Sequence, residues 1–321
     1  MDSHFDPFLL MHITKDYASE SEKTFKQTVN YLEKDKIICQ NILKAYEAFN
    51  ECGMVYPITT DNFLSGERIP LIEAEETNEI LLFQVFSGMY KISFQLLREI
   101  LELVLLQFYI YFEDDKKFLR NWLKGEVGTP FKKEMKKALH KSEAYELANP
   151  KFNLDSQLDR IYENLSGYIH TQGIKYSHKE LKNTNRPVFS EKSLVKFSDV
   201  YFETIKYCIL LIAINFPNAI EPLPIFSKFG HNAPFSFINE SKVQKIRSIF
   251  TKAELLELDD LSLNNKDFLD LKAYVEAMPD LTQDEISKTF ELFVSASPNA
   301  VERVIKESHE IDEAKLKKLL K

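Results

Sequence analysis

The longest apolar segment, residues 77–112, constrains the fold of this chain most. Its sequence is TNEILLFQVFSGMYKISFQLLREILELVLLQFYIYF. The apolar residues recur at helical spacing, Thr77 is a suitable N-cap, and Glu79 lies in the first turn. The pattern predicts one central helix. Because only 8 glycines and 12 prolines interrupt the 321 residues, and the other apolar segments have the same spacing, we predict an all-α, multi-helix bundle.

A polar stripe on this predicted helix is the first candidate site. At about 100° per residue, six polar side chains fall in one narrow row: Gln84, Ser87, Lys91, Gln95, Arg98 and Glu102. A buried charge must be paired, so we expect Arg98 to bond Glu102, one turn on, or a carboxylate of a neighbouring helix. Two interpretations stay open: a structural ion pair within the bundle, or a groove lined for a ligand.

The segment RIYENLSGYIHTQG, residues 160–173, is the second candidate site. It predicts a helix that ends at Gly173, with one apolar face formed by Leu158, Ile161, Leu165 and Ile169. The opposite side carries Glu163, Ser166, Gly167 and His170. We therefore expect His170 to lie off the apolar face, either as an exposed histidine that caps the helix weakly or as an acid/base group.

Charge is distributed unevenly along the chain. The net charge of −8 argues against a general nucleic-acid coat. Residues 116–141, however, contain nine Lys or Arg against two Glu, so this segment is net +7 and the remainder of the chain is −15. The segment is either a solvated lysine-rich surface or a patch that holds an RNA backbone. The candidates for RNA binding are Lys132, Lys133, Lys136, Lys137 and Arg160.

A family resemblance joins the two candidate sites. The succession YKISFQLLREILELVLLQFYIYF, FLRNWLKGE and YENLSGYIH is similar to an arrangement in bacterial proteins of the HEPN superfamily. The resemblance covers roughly residues 77–216 and implies an HEPN-like helical bundle there. Because such bundles act in phage defence, in toxin–antitoxin systems and in stress-induced RNA cleavage, it implies an RNA-acting, metal-independent endoribonuclease. It also implies a homodimer with the site at the subunit interface.

The superfamily's active motif is matched only in part. Active members carry an arginine followed, after four to six intervening residues, by a histidine that assists attack of a ribose 2′-hydroxyl on the adjacent phosphate. His170 matches the histidine, but the positions where the arginine would stand are occupied by Leu165, Asn164 and Glu163. Arg160 lies ten residues back. The hypothesis therefore needs a cation from elsewhere, Arg98 or Arg160. It makes His170 the acid/base and Ser166 and Asn164 its polar neighbours. Arg98 and Glu102 together shape the groove.

The chain divides into three predicted regions. Residues 1–76 form an N-terminal helical region, with a helix over residues 21–50, that packs on the core. Residues 77–216 form the HEPN-like bundle. Residues 217–321 form an acidic C-terminal helical module, in which TQDE at 282–285 fits a capping box and SPN at 297–299 fits a helix start. Under the alternative hypothesis, the protein is a non-catalytic adaptor that senses a ligand and recruits a partner protein through these C-terminal helices.

Several classes of protein are excluded by the absence of their sequence patterns. The three cysteines include no Cys-x-x-Cys pair, and the N-terminus lacks a signal-peptide pattern, so we predict a cytoplasmic protein. Charges interrupt every apolar segment below the roughly 18 residues of a spanning helix, which predicts no membrane segment. No histidine spacing fits zinc and no glycine-rich phosphate loop occurs, so we predict no metal and no cofactor. A small-molecule enzyme using Arg98 and Glu102 in a closed pocket has no motif behind it.

Overall fold

The computed structural model describes residues 7–53, 55, 65–170, 172–177, 187–230 and 239–296. These residues form α-helices and two short 3₁₀ helices, at Ile174–Tyr176 and Pro217–Ala219, and no strand occurs among them. The all-α prediction is confirmed. The helices are α1 (Pro7–Lys34), α2 (Lys36–Cys52), α3 (Ile69–Phe86), α4 (Tyr90–Glu113), α5 (Lys116–Leu123), α6 (Lys132–Leu139), α7 (Glu143–Phe152), α8 (Leu154–Ile169), α9 (Glu191–Asn215), α10 (Ile225–Phe229), α11 (Glu240–Arg247), α12 (Lys252–Ser262), α13 (Lys266–Ala277) and α14 (Gln283–Ala296).

The predicted central helix is two helices, so that prediction was wrong. Helix α3 begins at Ile69, well before Thr77, which is buried inside it. The chain then turns at Ser87–Met89, and α4 packs back along α3 as a helical hairpin. Gly88 makes the turn possible, because its φ of 80° is a left-handed conformation that glycine adopts without strain. A Cβ there would also lie 2.7 Å from the carbonyl oxygen of Val188.

The predicted N-terminal helix over residues 21–50 is likewise interrupted. Helix α1 ends at Lys34, and Asp35 caps the start of α2 by accepting a hydrogen bond from the backbone N–H of Ile38 at 3.2 Å. The capping box at 282–285 is confirmed, since Thr282 and Glu285 exchange side-chain-to-backbone hydrogen bonds at 2.8 and 3.4 Å. The helix start predicted at 297 lies outside the described residues.

The hydrophobic core centres on α4 and α9, the most buried helices. Helix α4 contacts α3, α6, α8 and α9, while α9 also packs against α2, α7 and α12. The rings of Phe94 in α4 and Tyr168 in α8 stack at 4.1 Å between centroids, and this contact joins the two helices that carry the candidate sites. The core runs from Leu32 to Leu261 and crosses residues 76 and 217, so the three-region division stays a prediction.

A second, smaller apolar cluster lies towards the end of the described chain. It consists of Leu223, Ile225, Phe268 and Val275, and it joins α10 to α13. Lys228 of α10 reinforces this contact by donating to the backbone carbonyl of Met278 at 2.6 Å and pairing with Asp280. Within the described part of the chain, no helix combines the length and the apolar character needed to cross a membrane.

The stability of the protein should depend on Glu75 of α3. Burial raises the pKa of this carboxyl from its ordinary 4.5 to about 7, with Arg68 opposing the rise. Between pH 4.5 and 7 the unfolded chain loses this proton while the folded protein keeps it. The free energy of unfolding should therefore fall by about 3 kcal/mol as the pH rises through this window. Glu75→Gln should remove this fall, as measured by urea unfolding at pH 4.5, 6 and 8.

The matched control is Glu73→Gln, which changes an exposed carboxyl of the same helix that does not act on the pKa of Glu75. We expect this variant to retain the wild-type pH dependence. Equal slopes for the wild type and both variants would contradict the assignment to Glu75.

Candidate functional site

An open cleft beside α8 brings together most of the predicted site residues. Its volume is about 1250 Å³, and α4, the start of α6, α8, α9 and the residues around the 3₁₀ helix at Ile174–Tyr176 form its walls. Six of the ten predicted residues line it: Arg98, Lys132, Arg160, Asn164, Ser166 and His170. The other four, Glu102, Lys133, Lys136 and Lys137, are not among the described residues that line it.

Arg98 is held at the base of this cleft by three hydrogen bonds. Its Nε and Nη2 donate to Oε1 of Glu102 at 2.9 and 2.7 Å, so the predicted i, i+4 pair forms. Its Nη1 donates to Oγ of Ser166 in α8 at 2.5 Å. The Arg98 side chain is only 8% exposed. A cation from a neighbouring helix thus reaches the residue that stands one turn before His170.

Tyr162 also contacts Arg98, and the sequence did not predict this residue as part of the site. Its ring lies beneath the guanidinium, with 3.5 Å between Cζ of Arg98 and the ring centroid. Its hydroxyl donates to Oε1 of Glu102 at 2.8 Å. Burial, together with this bond to a carboxylate, raises the pKa of Tyr162 to about 12, so the phenol stays protonated at neutral pH. The available signal was its spacing, four residues before Ser166 on the same side of α8.

His170 is the C-cap of α8, which ends at Ile169, four residues before the predicted Gly173. Its backbone N–H donates to the carbonyl of Ser166 at 3.0 Å, and its side chain is exposed at the edge of the cleft. The prediction that His170 lies off the apolar face is confirmed, because Leu158, Ile161 and Leu165 are buried on the other side. Ile169 is the exception on that face, with 38% exposure.

Gly167 was predicted on the side of α8 opposite the apolar face, and the structure covers that side at this position. The residue is buried beneath the ring of Tyr176, and a Cβ added to it would lie 2.3 Å from Cε1 of that ring. The absence of a side chain at position 167 therefore lets the 3₁₀ helix close over α8. Tyr176 packs edge-on against Tyr168, with 5.1 Å between centroids, and forms one wall of the cleft.

The predicted RNA-binding lysines divide between two faces of α6. Lys132 lines the cleft and donates to Asp159 at 2.8 Å, a bond that lowers the pKa of that carboxyl. Lys136 pairs with Asp159 at 3.0 Å and with Asp155 at 3.5 Å. Lys133 and Lys137 are exposed. Of the lysines proposed from the sequence, Lys132 is the one that the structure brings to the cleft wall.

The cleft has only a small excess of positive charge. Arg160 forms an ion pair with Glu203 of α9, and its side chain is 62% exposed. With His170 taken as neutral, the described lining contains four cations, Arg98, Lys132, Arg160 and Lys175, and three carboxylates, Asp159, Glu163 and Glu203. A polyanion would therefore meet cations that are already partly neutralised.

A second cavity, of about 580 Å³, adjoins Arg98 and Glu102. Gln95 and Thr129 contribute polar groups to it, and its apolar lining comes from Ile92, Leu96, Leu103 and Ile169. Burial and then the neighbouring Glu102 raise the pKa of Glu99 in this cavity. The ion pair of Arg98 and Glu102 therefore borders an apolar cavity as well as the polar cleft.

Comparison of the chain with models of known protein families, with curated proteins and with solved structures finds no match. The HEPN resemblance therefore stays a prediction, and the site is argued from geometry. In the part of the chain that the structure describes, no three His, Cys, Asp or Glu side chains are grouped so that they could hold a metal ion.

Proposed function

We propose that the protein is an RNA-acting, endoribonuclease-like protein of HEPN type that binds RNA in the cleft beside α8. In this proposal His170 is the acid/base, and Arg98 supplies the cation that the local sequence around His170 lacks. The observation that supports it is the hydrogen bond from Nη1 of Arg98 to Oγ of Ser166, one turn before His170. The proposal includes a cytoplasmic location, a homodimer, and a role in phage defence, a toxin–antitoxin system or a stress response.

The chemistry is an attack within the RNA itself. The 2′-oxygen forms a bond to the adjacent phosphorus, the bond from phosphorus to the 5′-oxygen breaks, the 2′-hydroxyl gives up its proton, and the departing oxygen gains one. The products are a 2′,3′-cyclic phosphate and a 5′-hydroxyl. An imidazole at His170 accepts a proton in its neutral form and donates one in its protonated form, so it can serve either transfer.

Arg98 suits the stabilisation of the charge that develops on the phosphate. A guanidinium stays charged at neutral pH and offers five N–H donors in a planar fork. Within the described part of the chain, the bonds to Glu102 and Ser166 use three of them. Because Tyr162 and Glu102 hold the guanidinium in place, little reorganisation is needed when a phosphate arrives.

The proposal is tested by incubating the wild-type protein with end-labelled RNA in the presence of a metal chelator. We expect cleavage that leaves 2′,3′-cyclic phosphate and 5′-hydroxyl ends. DNA of the same sequence is the matched control and should stay intact, because it lacks the attacking hydroxyl. RNA that remains whole under all conditions tested would end the proposal.

Lys132→Ala should weaken RNA binding more than Lys133→Ala, because only Lys132 of this adjacent pair lines the cleft. Loss of one phosphate contact should reduce the dependence of log Kd on log salt concentration by about one. We expect this change for Lys132→Ala, measured by fluorescence anisotropy with a labelled RNA at several salt concentrations. Equal effects of the two substitutions would indicate that the RNA does not enter the cleft.

A non-catalytic binding module is the second candidate function, and one observation favours it. The charge of Arg98 is already neutralised by Glu102, as the structural interpretation of this pair requires. Under this alternative the C-terminal helices recruit a partner protein. RNA affinity without cleavage, or a bound protein without RNA affinity, would favour it.

A further inference from the structure

Phe131 is the most exposed of the large apolar side chains that the structure describes. It is 82% exposed, and it lies on the wall of the cleft. An exposed phenyl ring does not contribute the roughly 2 kcal/mol of stability that its burial would give. A ring at this place therefore needs an explanation other than packing within the chain.

The backbone at Phe131 is held although its ring is free. Phe131 is the N-cap of α6, and its N–H donates to Oε2 of Glu134 at 2.9 Å. Its carbonyl accepts from the N–H groups of Glu134 and Met135 at 2.9 and 3.1 Å. These bonds fix the backbone from which the ring projects, so a flat ligand that stacks on the ring has only two side-chain torsions to immobilise.

The neighbours of Phe131 combine aromatic faces with cations. Lys132, the next residue, lines the same cleft with its Nζ 5.0 Å from the centroid of Tyr162. Lys175 and Tyr176 also line this cleft, with 5.1 Å between Nζ of Lys175 and the centroid of the Tyr176 ring. Aromatic rings next to cations can bind nucleotides, because the bases stack on the rings while the phosphates pair with the cations. In a duplex both faces of a base are covered by the neighbouring bases, so only an unpaired base can stack on such a ring.

We propose that Phe131 is the base-stacking residue of the cleft: an unpaired nucleobase lies on its ring while Lys132 holds the adjoining phosphate. The assignment rests on the proposed function, since it assumes that RNA occupies this cleft. It makes Phe131 a residue that determines specificity. It favours unpaired over paired RNA, and purines over pyrimidines, because the larger ring system covers more of the phenyl face.

The test compares wild type and Phe131→Ala for binding of two oligomers of eight units. One is a single-stranded oligoadenylate with 2′-O-methyl riboses, which resists cleavage during the measurement, and the other is an abasic oligomer with the same backbone. Loss of one stacked base should weaken oligoadenylate binding by about 5- to 150-fold. The abasic oligomer should bind both proteins equally. Phe131→Trp should restore binding, whereas Phe131→Leu, apolar but not aromatic, should not.

A fluorescence experiment reports on stacking directly. Trp122 is the only tryptophan of the chain, and it packs partly buried against the core. The double variant Trp122→Phe, Phe131→Trp therefore carries its single tryptophan on the cleft wall. Oligoadenylate should quench its emission, and the abasic oligomer should leave the emission unchanged. Trp122→Phe alone is the control for folding.

The outcomes separate this inference from the proposed function. Binding that depends on Phe131 and on bases, without any cleavage of natural RNA, would support the inference and remove the endoribonuclease. Cleavage of natural RNA together with oligoadenylate binding that is unaffected by Phe131→Ala would overturn the inference and leave the endoribonuclease standing. Equal weakening of both oligomers would overturn stacking. A change in self-association with unchanged binding would overturn it too, because Phe131 would then be a protein contact.

Discussion

His170→Ala should lower the rate of RNA cleavage by about 10²- to 10⁴-fold, the usual contribution of a positioned acid or base. The RNA affinity and the free energy of unfolding should stay close to the wild-type values, because the side chain is exposed at the end of α8. The measurement is a single-turnover cleavage assay at saturating protein, with urea unfolding alongside it.

The matched control is His140→Gln. His140 lies outside the cleft, between Glu146 at 2.6 Å and Asp155 at 3.2 Å, and is partly exposed. We expect this variant to cleave RNA at a rate within about twofold of wild type. If His170→Ala cleaves as fast as the wild type, His170 is not the acid/base and the proposed catalytic mechanism is lost.

Arg98→Ala should lower the cleavage rate about as much as His170→Ala does. It should also destabilise the fold. Without the guanidinium, Glu102 keeps a half-buried charge that has lost its partner, and Ser166 loses a donor. Breaking a buried pair costs about 3 to 5 kcal/mol, and the partial exposure of Glu102 reduces this to about 2 to 3 kcal/mol. The measurements are the free energy of unfolding in urea and the single-turnover cleavage rate.

A second variant separates the two effects of losing Arg98. The double substitution Arg98→Met, Glu102→Leu removes both charges and fills the space with apolar side chains, so most of the lost stability should return. Cleavage should remain absent, because no cation then stands beside Ser166. Recovery of cleavage together with stability would show that the pair is only structural and that the phosphate is held elsewhere.

The position of Arg98 depends on how α4 is set against α8. The turn at Gly88 ends α3 and directs α4 back through the core, and the stacked rings of Phe94 and Tyr168 then fix α4 against α8. Arg98 stands four residues after Phe94, one helical turn on, and so faces Ser166. The same packing therefore supports the fold and the candidate site.

Features that depend on neighbours along one helix could be predicted from the sequence. The all-α class, the pair of Arg98 with Glu102 and the placement of His170 off the apolar face all follow from a period of 3.6 residues. The single central helix failed for a related reason. Apolar periodicity continues across Gly88, so the pattern does not show that the chain reverses there. The reversal is visible only in the structure, where the backbone of Val188 approaches Gly88 too closely for a side chain.

The contacts between helices were decided by the tertiary structure alone. Arg98 and Ser166 are 68 residues apart, and no spacing in the chain relates them. The ring of Tyr162 beneath Arg98, the choice of Lys132 over Lys133, and the exposed Phe131 all depend on how α4, α6 and α8 approach each other. Helical periodicity predicts which side chains share a face of one helix. Which other helix packs against that face depends on the packing of the whole core. For this protein the sequence determined that His170 lies off the apolar face of its helix, and the tertiary structure brought Arg98 to Ser166, one turn before that histidine.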